Sequence, residues 1–371
     1  MVTRYDSIDA MRIIAILFVV AIHTTPFKNL GLYGNTLNFI IDSTARFAVP
    51  FFFMTSGYFF AHKISRTDSI EYLYGYIIQI STIYLYGIVI TLPIVLLINI
   101  GKNLSEGIRL ANILSILTEL ASPMGTIYYG NTVTPIYWFF PALIFSIALV
   151  YLFWVTRLTQ YMLPIALGLH IIGLIGQSYT MLVDIPLRTQ DALFFGFFYT
   201  SLGFYIWNRK LQEIEVQQEF LLGGITLGWI LQVTEQYVLH YDYTDRTLSE
   251  GVFTAEFTIG TIFFTMFLFL YLLSKPKLGK YTLLPSFGRF AVGIYVAHPP
   301  VLYSVRIIRN LLTAKVGYNI GDTLLWHLLQ TPVVILGAFA IYYVSHIIGV
   351  IEIGGSHLPK VQRLRSKILR R

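Results

Sequence analysis

Long apolar stretches without a charge recur along this chain, the clearest at 72–101, 120–156, 158–183 and 326–351. Each exceeds the roughly 20 residues a helix needs to cross a hydrocarbon core of about 30 Å. Read with charged flanks and Gly/Pro punctuation, the pattern predicts ten spans near 8–26, 38–61, 73–99, 134–155, 161–178, 190–207, 219–239, 253–273, 287–305 and 328–352. The predicted fold class is therefore all-α, a polytopic transmembrane helical bundle of about ten spans. The longest connection, 100–133, is itself largely apolar and predicts short helices lying at the membrane interface. No soluble domain fits, and no internal repeat is visible. Residues 1–355 read as one transmembrane domain and 356–371 as a basic cytoplasmic tail.

Composition sharpens this picture. The 371 residues are 56% hydrophobic and 12% charged, about half the charged content of an ordinary soluble domain. The net charge of +7 sits between the apolar runs and in the tail, as membrane topology requires, so the lipid bilayer is the expected partner and nucleic acid is excluded. Fifteen of the 26 lysines and arginines fall on the side that holds both termini, eight on the other, and Arg12, Arg46 and Arg289 within spans. That bias predicts a multi-pass protein of the cell membrane with both termini cytoplasmic. The segment 306–327, with Arg306, Arg309 and Lys315, runs against it. The first span lacks a small-residue cleavage site and is read as a retained helix. There is no cysteine, which removes disulfides, thiolate metal sites and cysteine nucleophiles; no metal is assigned.

The informative residues are the ionisable ones inside spans, because a charge in hydrocarbon costs several kcal/mol and needs a purpose. The first span, DAMRIIAILFVVAIHTTPF, carries Asp9, Arg12 and His23. Arg12 and His23 are eleven residues apart, which puts them within about 20° on one helix face and roughly 16 Å apart along the axis. Pro26 then stops or kinks the helix. Arg46 opens the uncharged stretch FAVPFFFMTSGYFFA of the second span. It is expected near His23, where its planar donors would suit a carbonyl, an oxyanion or an acidic sugar, and Ser56 and Gly57 are read as a close-packing pair. The ninth span, SFGRFAVGIYVAHPP, holds Arg289 and, on the opposite helix face, His298. Glu235 and the pair Arg188 and Asp191 sit at outer span ends, and Tyr137 and Trp138 at a helix start where rings belong to an aromatic belt or stack on sugars. His170 and His346 are read as packing or interfacial histidines.

Three of these patterns together resemble acyltransferase family 3: an arginine, ten residues and a histidine in the first span, R-x3-PFFFMTSGY in the second, and a late GIYVAHPP. The resemblance extends over the chain in length and span number. It implies transfer of an acyl group, often acetyl from acetyl-CoA, to hydroxyls of cell-envelope glycans or lipid-linked sugars. It also implies His23 as the essential base, Arg12 as its paired motif residue and Arg46 as a further site residue. Some members of that family append an esterase-like or a racemase domain; neither is expected in the sequence to Arg371.

Chemistry read from the residues agrees. Transfer from a thioester to a sugar hydroxyl needs a base, and histidine ordinarily titrates near neutral pH. Without cysteine, direct attack and passage through an acyl-histidine both remain open. Acyl-CoA phosphates would need cations at the cytoplasmic mouth, for which Arg12 and Arg289 are the candidates. A transporter or flippase for an envelope precursor is the alternative class, since intramembrane charges and broken helices also line carrier pathways, and a structural or sensory subunit is a third. Acceptor identity and oligomeric state, a homodimer included, stay open.

Overall fold

The computed structural model describes residues 5–104, 118, 122–181 and 189–353. Among these there are helices and turns and no strand. Every predicted span contains helix: α1 (Asp6–Thr24), α2 (Gly31–Ala45) with α3 (Ala48–Ile64), α4 (Ser69–Leu104), α5 (Phe139–Val155), α6 (Thr159–Gln177), α7 (Phe197–Asn208), α8 (Gln218–Tyr237), α9 (Ile259–Ser274), α10 (Leu284–Gly288) with α11 (Ala291–Val316), and α12 (Leu324–Ile347). Among the described residues seven helical stretches are long and apolar enough to cross a membrane, and α9 is a shorter apolar helix. The expected interface helices of 100–133 fall mostly outside the described residues; within them a π-helix runs over Met124–Tyr129.

Two spans differ from their expected form. The second is broken by a turn at Arg46 and Phe47 between α2 and α3. Pro50 lies in the first turn of α3, where a residue without an N–H costs nothing; an unbroken helix would have needed that N–H for Arg46. The ninth begins only at Ala291, so Arg289 stands in a turn between α10 and α11 and not within a span. Helix α1 ends as its sequence predicts. Thr25 turns left-handed at φ 48°, its N–H bonds the Ala21 carbonyl, and Pro26 follows.

The chain divides into two compact units, 1–73 with 145–288 and 74–144 with 289–371. In the first, α3 and α7 cross at Gly57 and Gly203. A side chain on Gly57 would strike the Thr200 carbonyl, and one on Gly203 the Met54 carbonyl, so the two backbones meet as small-residue crossings in membranes allow. Helix α8 packs along α9, and the Glu235 carboxylate ties the pair by accepting from the Gly260 N–H and the Tyr179 hydroxyl, each at 2.6 Å. In the second unit, α11 packs on α12. There the Tyr137 hydroxyl gathers Thr91 Oγ1 (2.7 Å), the Val296 carbonyl (2.7 Å) and the Gly87 carbonyl (3.1 Å) in a buried knot.

Beyond α8 the first unit has a π-helix, Val238–Asp242, and then a stretch without regular helix up to Thr258. Buried backbone outside regular helix needs other partners for its N–H and carbonyl groups. Here side chains supply them. Gln236 bonds both the N–H and the carbonyl of Ala255 (2.7 and 3.0 Å), the Tyr241 hydroxyl meets the Phe253 N–H (3.0 Å), and Asn35 Nδ2 donates to the Leu248 carbonyl (2.7 Å).

Candidate active site

The chemistry of the first unit starts from a polar stripe on α2. Asn35, Asn38, Asp42 and Arg46 recur at three- and four-residue spacing, so they share one face, and all four are buried. Asn38 Nδ2 donates to the Pro26 carbonyl at 2.8 Å and fixes the turn after α1. Arg46 ends the stripe. Its Nη2 donates to Asp42 Oδ2 at 2.6 Å and to Thr254 Oγ1 at 2.9 Å, its Nε to Asp42 Oδ2 at 3.2 Å, and its Nη1 to Glu256 Oε2 at 2.6 Å. Thr254 in turn donates to Asp42 at 2.5 Å. Arg46 and Asp42 side chains are only 7% and 9% exposed, whereas Glu256 is 43% exposed. The guanidinium is thus already engaged; to meet a carbonyl or oxyanion it would exchange Glu256, its solvent-facing partner.

Beside this cluster lies a cavity of about 410 Å³, lined by Ile22, Thr25, Lys28, Asn38, Asp42, Arg46, His240, Arg246, Val252, Phe253 and Thr254. Its volume is that of a small-molecule site, roughly 300–1,000 Å³. Of the six non-glycine residues with positive φ among those described, Thr25, Phe27, Asn29 and Asp245 lie in the two segments that border it. Such conformations cost energy and gather where function holds the chain in place. His240 adds an imidazole whose Nε2 is buried and makes no hydrogen bond. Burial first, then the Arg46 and Arg246 charges, holds that imidazole below its ordinary pKa.

Helix α1 brings the two motif residues to this end of the unit and the other. Arg12 and His23 are each half-buried. On a helical projection they share their face with Ile8, Ala15, Ile16 and Val19, all of them buried. The two residues therefore stand at the two ends of the buried side of α1. Arg12 Nη1 donates to Asp9 Oδ1 at 2.9 Å, and its guanidinium lies 5.6 Å from the Phe59 ring centre. Ile22 and Thr25, flanking His23 in sequence, line the cavity that Arg46 also lines.

The remaining candidates stand elsewhere. Glu235 is committed to Tyr179 and Gly260, joining α8 to α9. Asp191 caps the π-helix Ala192–Gly196 by accepting the Leu193 and Phe194 N–H groups, both at 3.0 Å, while Arg188 lies outside the described residues. In the second unit, Tyr137 is buried in its hydroxyl knot and Trp138 is half-buried in the same 3-10 turn, Pro135–Trp138. His298 is buried with Nδ1 2.6 Å from the Tyr295 carbonyl, and Arg289 is exposed with its guanidinium 4.9 Å from the Phe290 ring centre. His170, also buried, places Nδ1 2.9 Å from the Phe194 carbonyl. Among the described residues no cluster of three or more His, Asp or Glu could hold a metal ion.

Sequence reasoning passed over Asp42, Thr254, Glu256, His240, Lys28 and Arg246. The Asp42 and Arg46 spacing of four within an apolar helix was a readable signal of a pair. Thr254 and Glu256, about two hundred residues away, gave none.

Comparison with known proteins follows the same lines. The family model described as an acyltransferase domain matches residues 5–348. Two proteins of Enterococcus faecalis named amino-acid racemase are similar to this chain. One is 34% identical over 248 residues, 60% of this chain and 32% of the racemase; the other is 28% identical over 327 residues, 82% of this chain and 42% of the racemase. A serine/alanine racemase of Enterococcus gallinarum is 29% identical over 227 residues, 57% of this chain and 30% of that protein. The matched chain thus spans less than half the length of these relatives. No solved structure matches at a significant level.

Proposed function

The chain belongs to acyltransferase family 3, and from that premise we propose that it moves an acyl group, acetyl first among candidates, from cytoplasmic acyl-CoA to a hydroxyl of a cell-envelope polysaccharide or lipid-linked sugar. The observation that carries the reading is the placement of Arg12 and His23 at the two ends of the buried side of α1, with the polar cavity at the His23 end. The spacing of roughly 16 Å is about half a bilayer core, so one helix can serve a donor at one mouth and an acceptor nearer the other. The racemase names belong to proteins more than twice as long as their matched parts, and that activity stays with them.

In this mechanism the acceptor hydroxyl, held in the cavity, approaches the thioester carbonyl while the His23 imidazole takes its proton. The oxygen-carbon bond forms, a tetrahedral oxyanion collapses, and the carbon-sulfur bond breaks. The imidazolium returns the proton to the departing sulfur, giving the ester and free coenzyme A thiol. Arg12, steadied by Asp9 at 2.9 Å, meets the donor's phosphates through its planar fork. Arg46, locked by Asp42 and Glu256, shapes the cavity wall and stabilises the oxyanion once Glu256 moves aside.

Release of coenzyme A thiol by the purified full chain in lipid vesicles, given acetyl-CoA and envelope carbohydrate, tests the reading. His23→Ala should lower the rate by about 10²–10⁴ with insertion unchanged, the usual worth of a general base. Arg12→Lys should raise the KM for acetyl-CoA more than that for the acceptor. Near-normal turnover by His23→Ala would remove His23 from the mechanism.

A further inference from the structure

The cavity is lined by three cations, Lys28, Arg46 and Arg246, against one carboxylate, Asp42. Arg46 and Asp42 are spent on each other and on Glu256 and Thr254. The other two cations are not. Lys28 Nζ makes one hydrogen bond, to the Val252 carbonyl at 3.3 Å, which leaves two of its donors. Arg246, exposed, has its guanidinium carbon over the Phe253 ring, 4.5 Å from the ring centre. Among the described residues neither has an ion pair. A cation over a ring face is held there without using its N–H groups. His240 completes the arrangement with its buried, unbonded Nε2.

A wall that positions cations and leaves their charge unanswered is built for an anion. The neutral surroundings decide what carries it. Asn38, whose Nδ2 already donates to the Pro26 carbonyl, adds its amide oxygen beside the apolar Ile22, Val252 and Phe253, a mixture suited to a sugar's hydroxyls and its apolar ring face. Phosphate or carboxylate alone would not need them.

We infer that this cavity is a subsite for an anionic carbohydrate, in which Lys28 and Arg246 grip a carboxylate or phosphate on the sugar and His240 forms part of the wall behind them. The inference rests on reading the cavity as the acceptor's, and it narrows the acceptor to sugars that carry such a group. It requires no step of the acyl transfer.

Equilibrium binding to the purified full chain in lipid nanodiscs separates the cases, with glucuronate, glucose 1-phosphate, glucose and coenzyme A as probes. Wild type should bind at least one of the two anionic sugars about tenfold or more tighter than glucose, and Lys28→Gln or Arg246→Gln should each remove about tenfold, the worth of a charge-assisted hydrogen bond. Arg246→Lys should recover part of the loss. Raised salt should weaken the anionic sugars and not glucose. His23→Ala should bind them as wild type does, so loss of acyl transfer in that variant would leave the subsite standing. Three results overturn the inference: glucose binding as tightly as both anions, undiminished anion binding in both glutamine variants, or a loss in those variants confined to coenzyme A. The last would give the cations to the donor.

Discussion

Two buried polar knots in this molecule invite comparison. In the second unit, Tyr137 ties Thr91, Gly87 and Val296 together through one neutral hydroxyl. In the first, Arg46 ties Asp42, Thr254 and Glu256 through four hydrogen bonds from one charge. The neutral knot takes in two backbone carbonyls and sits in a tight 3-10 turn. The charged knot borders a cavity, sits at a helix break, and is flanked by segments holding four left-handed non-glycine residues. Burying charge is expensive enough that a hydroxyl would have served if only packing were required. The difference separates a polar group that holds a fold from one that holds a site.

Substitutions can break that contrast. The largest effect is expected for Asp42→Ala, which strips a buried guanidinium of its least exposed partner and should cost about 3–5 kcal/mol of stability. It should appear as a large fall in the thermal midpoint of the detergent-solubilised protein, and an unchanged midpoint would mean the cluster is not a buried charge pair. Tyr137→Phe comes next. It leaves carbonyls unsatisfied and should cost about 1–3 kcal/mol, with sugar binding by the folded fraction unaltered. Arg246→Gln should be smallest in stability, within about 0.5 kcal/mol, while its effect on anion binding is large. An Arg246→Gln variant that lowered stability and binding together would erase the distinction between holding the fold and holding the ligand.

The pH dependence sharpens the same point at His240, whose imidazole burial and nearby arginines hold below its ordinary value of 6.5. The folded state therefore disfavours its proton. Its contribution to stability is complete above 6.5 and is lost as pH falls through that value toward the lower folded one. An anion in the cavity favours the protonated form, so anionic sugar affinity should rise over the same fall in pH. His240→Gln should flatten both slopes; binding that keeps its slope in that variant would assign the proton elsewhere.

Much of the fold was legible because apolar length alone dictates where helices cross lipid. The break at Arg46 was not, since a two-residue turn between two apolar runs leaves the pattern of hydrophobicity intact. Gly57 could be read as a close-packing position, but its counterpart Gly203 could not, because neither sequence neighbourhood names the opposing backbone. The stripe Asn35, Asn38, Asp42 and Arg46 was present in the spacing and went unread behind the more conspicuous Arg12 and His23. Lys28 and Arg246 look like ordinary topogenic charges in sequence. Only the path of residues 238–258 across the face of α2 turns them into walls of a cavity.

The central claim is that His23 drives acyl transfer to an envelope carbohydrate. Mass spectrometry of that carbohydrate tests it most directly, in cells lacking the protein and in the same cells supplied with wild type or with His23→Ala at equal membrane abundance. The account predicts an acyl mass increment with wild type and none in the other two. An increment of equal size with His23→Ala, or in cells without the protein, would contradict it.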